Sequence, residues 1–150
     1  MFYCESISQI IHGQIKVNLE DFYKPKIVWT AVNAEYKFCY VPEGIMLNNA
    51  LFMVTGTHIQ TLLAIFNSKT FKFYLKLLLG ESYQYGAKDS FDKIPVLQVS
   101  DIINKKFDML VKDIQHEYTY QKANDIDSMI FDLYNLSLEE RKVIGSVEIQ

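Results

Sequence analysis

Leu62-Leu63-Ala64-Ile65-Phe66-Asn67-Ser68-Lys69 is an apolar run that stops on a polar pair and restarts on a lysine. Leu62, Leu63, Ile65 and Phe66 recur at helical spacing, which predicts a helix, and Thr57, just after Gly56, is placed to cap its start. Either Asn67 or Ser68 can cap a second helix carrying Phe71, Tyr74, Leu75 and Leu78, which Gly80 ends as a C′ residue. The two together predict a helical corner. Lys69, Lys72 and Lys76 fall at i, i+3 and i+7 of the second helix and share one of its faces. Such a corner offers an apolar stripe to a core and a basic edge to a polyanion.

Working outward toward the N-terminus, Ile27-Val28-Trp29-Thr30-Ala31-Val32 follows Pro25 and is rich in β-branched and aromatic residues, so it reads as a strand. A second strand over 36–41 closes at Pro42-Glu43-Gly44 and forms a hairpin with the first; Leu51-Phe52-Met53-Val54 supplies a third. On the other side, residues 81–91 have no periodicity and form a loop, and Ile94-Pro95-Val96-Leu97 reads as a short edge strand, because proline cannot donate to a central ladder. Phe107, Leu110, Val111, Ile114 and Tyr118 mark a long amphipathic helix, and Ile126, Ile130 and Leu133 mark another. A last helix starts at Ser137, with Glu140 three residues on as its capping box. The expected fold is α+β: a small mixed or antiparallel sheet packed with a helical pair and C-terminal helices.

At 150 residues the chain suits one domain, and 49% apolar against 22% charged residues is the balance of a folded protein. The net charge of −3 lacks the basic excess usual in generic nucleic-acid binders. Its distribution is uneven: nine basic residues face eight acidic ones up to residue 93, and six face ten beyond it. Cys4 and Cys39 have no metal-ligand spacing and read as reduced thiols. No apolar run approaches the roughly 20 residues of a bilayer span, so a cytoplasmic protein without membrane contact is expected.

No Gly-rich phosphate loop, zinc-type Cys/His spacing or Gly-x-Ser-x-Gly elbow occurs, and neither a catalytic residue nor a metal ligand is assigned. Asp89, Asp92 and Lys93 allow a metal-dependent nuclease reading, against which stands a solvated loop. The basic and aromatic cluster carries more. Lys88 and Lys93 can join Lys69, Lys72 and Lys76 if the loop folds back, with Tyr83, Gln84 and Tyr85 at its tip. Lysines neutralise phosphates, glutamine can bond adenine bidentately, and tyrosine can stack on a base or bond a phosphate. Asn48 and Asn49 are further candidates, though an Asn pair before a strand also serves turns. A non-catalytic protein-interaction or subunit-docking module, motivated by the acidic total and abundant aromatics, is the alternative.

Lys24-Pro25-Lys26-Ile27-Val28-Trp29, Asn48 through Gly56, Leu63 through Ser68, Ile94-Pro95 and Ile126 through Glu140 form an ordered set over residues 24–144. That set resembles the C-terminal specificity domain of TaqI-like N6-adenine DNA methyltransferases and of fused Type IIG restriction-modification enzymes. The resemblance implies a bacterial target-recognition domain that reads double-stranded DNA through the major groove. In that family an upstream domain binds S-adenosylmethionine and holds the flipped adenine with an Asn-Pro-Pro-Tyr motif. This chain has no such motif and no nuclease motif, so no cofactor is expected in it. Residues 1–23 are then a lead-in from the upstream domain and 24–150 the recognition domain, with Asn67 and Ser68 as structural caps. The acidic C-terminal helices are expected to face away from DNA.

Overall fold

A computed structural model describes residues 19–30, 37–47, 51–80 and 94–146. A short helix, α1 (Leu19–Tyr23), ends where Pro25 cannot continue it. Three antiparallel strands follow: β1 (Lys26–Thr30), β2 (Cys39–Val41) and β3 (Leu51–Thr55), in the order β2-β1-β3. Ile27 sits opposite Tyr40 on one side and Val54 on the other. The central strand is buried at four consecutive positions, Lys26 to Trp29, because both of its faces are covered. The strand expected over 36–41 is shorter, beginning at Cys39; Lys37 and Phe38 precede it without ladder pairing.

The helical corner is present as α2 (Ile59–Asn67) and α3 (Lys69–Leu79). Thr57 does not cap α2. His58 intervenes in the left-handed region at φ 58°, offers no side-chain cap, and leaves the Thr57 hydroxyl one residue too early. Of the two candidates for α3, Ser68 is the cap: its Oγ accepts from the Phe71 amide at 3.1 Å and donates to the Ile65 carbonyl at 2.6 Å. Gly80 ends α3 at φ 52° and ψ −131°, a conformation that a side chain disfavours.

Ile94 to Leu97 is extended but forms only a single bridge, at Val96, rather than a strand. Helices α4 (Asp101–His116), α5 (Tyr120–Leu133) and α6 (Leu138–Ser146) follow. Ser100 and Thr119 cap the first two through the Ile103 and Lys122 amides. Tyr118 lies in the connection between α4 and α5, exposed, and not on α4 as its spacing suggested. The capping box of α6 is made in both directions: the Ser137 amide donates to Glu140 at 2.7 Å, and the Glu140 amide to Ser137 Oγ at 3.3 Å.

The sheet and the corner share one core. Trp29 touches Phe38 and Phe52, Phe38 touches Phe66 and Phe71, and Phe66 stacks on Phe71 with centroids 4.6 Å apart. Ile27, Val54, Ile65, Leu75, Phe107 and Ile130 complete it, each almost wholly buried. α2 packs on α4, and α3 on α5 and α6, so the corner lies between the sheet and the C-terminal helices.

Candidate nucleic-acid interface

Viewed down its axis, α3 divides into three faces. Phe71 and Leu75 enter the core; Thr70, Phe73 and Tyr74 line a groove; Lys69, Lys72 and Lys76 form the edge that the i, i+3, i+7 spacing predicts. The three lysines differ in what surrounds them. The Lys76 side chain is exposed at the end of the helix. Lys72 is half-buried and lines a cleft of about 540 Å³ between β2, the corner and the α4–α5 hairpin, together with Tyr40, Gln115 and Tyr118. Lys69 is engaged within the protein: its Nζ donates to Asn124 Oδ1 at 3.1 Å and lies 3.5 Å from Asp127 Oδ2.

Asp127 belongs to α5, with a side chain only 10% exposed. Its other oxygen accepts the Lys69 backbone amide at 2.9 Å, satisfying one of the unpaired donors at the start of α3. Burial raises its pKa, and the amide and ammonium of Lys69, with Lys72 further off, oppose that rise without cancelling it. Neither Asp127 nor Asn124 stood out as a site residue in the sequence. The available signal was a carboxylate beside Ile126 and Ile130, on the border of an apolar stripe, where a charge needs a partner.

The corner itself is tied to the sheet by Asn67, whose Nδ2 donates to the Phe38 carbonyl at 2.9 Å and to the Leu63 carbonyl at 3.2 Å. Lys26, wholly buried at the start of β1, donates its Nζ to the Ile45 carbonyl at 3.0 Å, and burial pushes its pKa down. It fastens the turn after β2 beneath the sheet edge. Asn48, Asn49, Tyr83, Gln84, Tyr85, Lys88 and Lys93 lie outside the described residues, as do Asp89 and Asp92. The structure therefore brings Lys69, Lys72 and Lys76 to one edge.

On the neighbouring face, α3 and α6 wall an apolar groove of about 460 Å³, lined by Phe73, Tyr74, Pro95, Tyr134, Glu139, Glu140 and Val143 among others. Tyr134 closes one end through its hydroxyl, which donates to the Pro95 carbonyl at 3.3 Å. Among the described residues no helix is long and apolar enough to cross a membrane, and no group of three or more His, Cys, Asp or Glu is placed to hold a metal ion.

A three-stranded sheet carrying a capped helical corner with one basic edge defines a small α+β binding domain. Residues 2–102 match the TaqI-like C-terminal specificity domain family, more than half of the chain, and the protein belongs to that family. It is thus a DNA-specificity domain of the methyltransferase type. The matched region takes in the sheet, the corner and the first residues of α4; most of α4, all of α5 and α6, and the Leu133–Glu140 stretch lie beyond it. No curated protein and no solved structure matches the chain.

Proposed function

We propose that this domain reads a duplex target through the major groove on behalf of an upstream S-adenosylmethionine-dependent N6-adenine methyltransferase domain, in a bacterial Type IIG restriction-modification enzyme. The observation that carries the reading is the lysine edge of α3, standing on a helical corner that Ser68 caps and that Asn67 ties to the segment leading into β2. Lys72 and Lys76 contact phosphates and set the register; Tyr83, Gln84, Tyr85, Lys88 and Lys93, with Asn48 and Asn49, supply base-edge and further backbone contacts. Residues 24–150 constitute the recognition domain and 1–23 lead in from the catalytic one. The cofactor belongs to that partner domain.

Fluorescence anisotropy of a labelled duplex at low salt tests the reading. Each phosphate contact contributes about −0.9 to the slope of log K against log salt, so Lys72→Gln and Lys76→Gln should each flatten the slope by about that amount. Absence of binding by the domain joined to its methyltransferase would defeat the proposal.

The apolar groove between α3 and α6 supports a second role for another face of α3. Val143 in that lining is 54% exposed, and Glu139 and Glu140 line the same groove. On this reading the groove docks a basic-flanked apolar segment of the catalytic partner while the lysine edge faces DNA. Val143→Glu should then weaken assembly with the methyltransferase domain and leave duplex affinity unchanged.

A further inference from the structure

The start of α3 has the parts of an anion site. A backbone amide with its helix dipole behind it and the Lys69 ammonium converge on one point. That point is filled by the Asp127 carboxylate, brought there by a helix that begins 51 residues later in the chain. One of its oxygens takes the amide at 2.9 Å and the other faces the Lys69 amine at 3.5 Å. A second acceptor, Asn124 Oδ1, holds the same amine at 3.1 Å. The lysine of the edge nearest the corner, its side chain 45% exposed, is therefore already paired within the protein, and Lys76 lies exposed at the far end.

We infer that Asp127 acts as a built-in counter-anion that occupies the phosphate-like position at the start of α3, withholding Lys69 from the DNA backbone and confining phosphate contact on this helix to Lys72 and Lys76. Asp127 is on this account a positioning residue: it fixes where along α3 the DNA strand begins to be held. Asp127 lies beyond the matched residues 2–102, so the charge presented at the corner is set by a helix outside that match.

The part of the inference that concerns DNA rests on the proposed function, so two measurements separate the failures. In the first, the salt slope for a fluorescein-labelled duplex is compared across variants of the full chain. Lys69→Gln should leave the slope unchanged. Asp127→Asn keeps an oxygen for the Lys69 amide but removes the charge, and should steepen the slope by about 0.9, one added phosphate. That gain should vanish in Lys69→Gln/Asp127→Asn. A merely structural Asp127 would lower stability without adding a phosphate contact, and a flattening of about 0.9 in Lys69→Gln alone would overturn the inference. Should Asp127→Asn not fold, the Lys69→Gln slope decides by itself.

The second measurement needs no DNA. Inorganic sulfate is titrated into isotope-labelled protein while the Lys69 amide resonance is followed. The wild-type amide should not respond, since its position is filled, and Asp127→Ala should show a saturable shift. A wild-type amide that shifts as readily as the variant's would sink the proposal. Failure of every variant to bind duplex, with the sulfate result as expected, would remove the proposed function and leave Asp127 as the occupant of the site.

Discussion

The sheet with its helical corner and the C-terminal helices are secured in opposite ways. In the first region the polar fastenings are buried or half-buried, and two of them reach far along the chain, Asn67 to the Phe38 carbonyl and Lys26 to the Ile45 carbonyl, while Ser68 joins two helices locally. In the second, the bonds within the helices are exposed and short in range, Lys112 with Asp108, Gln121 with Asp125 and Ser137 with Glu140, and the half-buried ones are those that tie the helices back to the corner, Asp127 to the Lys69 amide and Asn104 to Thr61. Burial explains why this matters. A fastening shielded from water is expensive to leave half-made, whereas an exposed one exchanges readily with solvent. The corner is thereby held in one orientation, which a surface that must meet DNA in register requires, while α4 to α6 can vary at their surfaces with little effect on the fold.

The largest effect that could break this contrast is expected in the aromatic chain joining sheet and corner. Phe66→Ala should cost about 3–5 kcal/mol in urea denaturation, the range for emptying a packed phenylalanine site, because the ring is almost wholly buried between Phe38 and Phe71. A loss under about 1 kcal/mol would show that the two elements are not one core. Next comes Asn67→Ala, which strips the Phe38 carbonyl of its side-chain donor and should cost about 1–3 kcal/mol. Its effect on DNA affinity at fixed salt should exceed that of any single exposed ion pair, since the corner would swing.

In the C-terminal region Ser137→Ala should cost about 1 kcal/mol, the usual worth of such a cap, read as a lower midpoint with an unchanged denaturant slope. The same cap gives a pH signature. The Glu140 carboxylate accepts from the Ser137 amide and sits with the Ser137 hydroxyl, contacts that hold its pKa below the ordinary value. A depressed folded-state pKa means that the contribution is complete above the unfolded-state value and is lost as pH falls through the folded-state one. Helix content in α6, followed by amide exchange of its first turn, should therefore decline in that acid window for wild type and stay flat for Glu140→Gln. Smallest of all, Lys112→Ala should change stability by about 0.5 kcal/mol or less, because its partner Asp108 lies one turn away on an exposed face. A larger loss would erase the distinction between the two regions.

Much of the architecture was readable from short-range pattern. The corner, the three strands, the paired amphipathic helices and the Ser137–Glu140 box all rest on spacings of two, three or four residues, and each is found close to its predicted place. The errors were local as well. Thr57 failed as a cap because His58 turns left-handed, β2 began later than its composition suggested, and Ile94 to Leu97 stayed unpaired but for one bridge. Of the proposed contact residues, the three on α3 are within the described structure, and spacing alone had put them on one edge. Spacing gave no means of telling them apart.

The sequence by itself determined most of the helices and the three strands, where α6 begins, and that three amines share a face. Hydrogen bonds and side-chain contacts between near neighbours in the chain leave their period in the residue order. Only the tertiary structure decided that β1 is the central strand, that Asn67 reaches the Phe38 carbonyl 29 residues away, and that Asp127 fills the start of α3 from 58 residues away. Partners so distant are chosen by which apolar faces are buried together, and a carboxylate beside an apolar stripe does not announce which helix end it will meet.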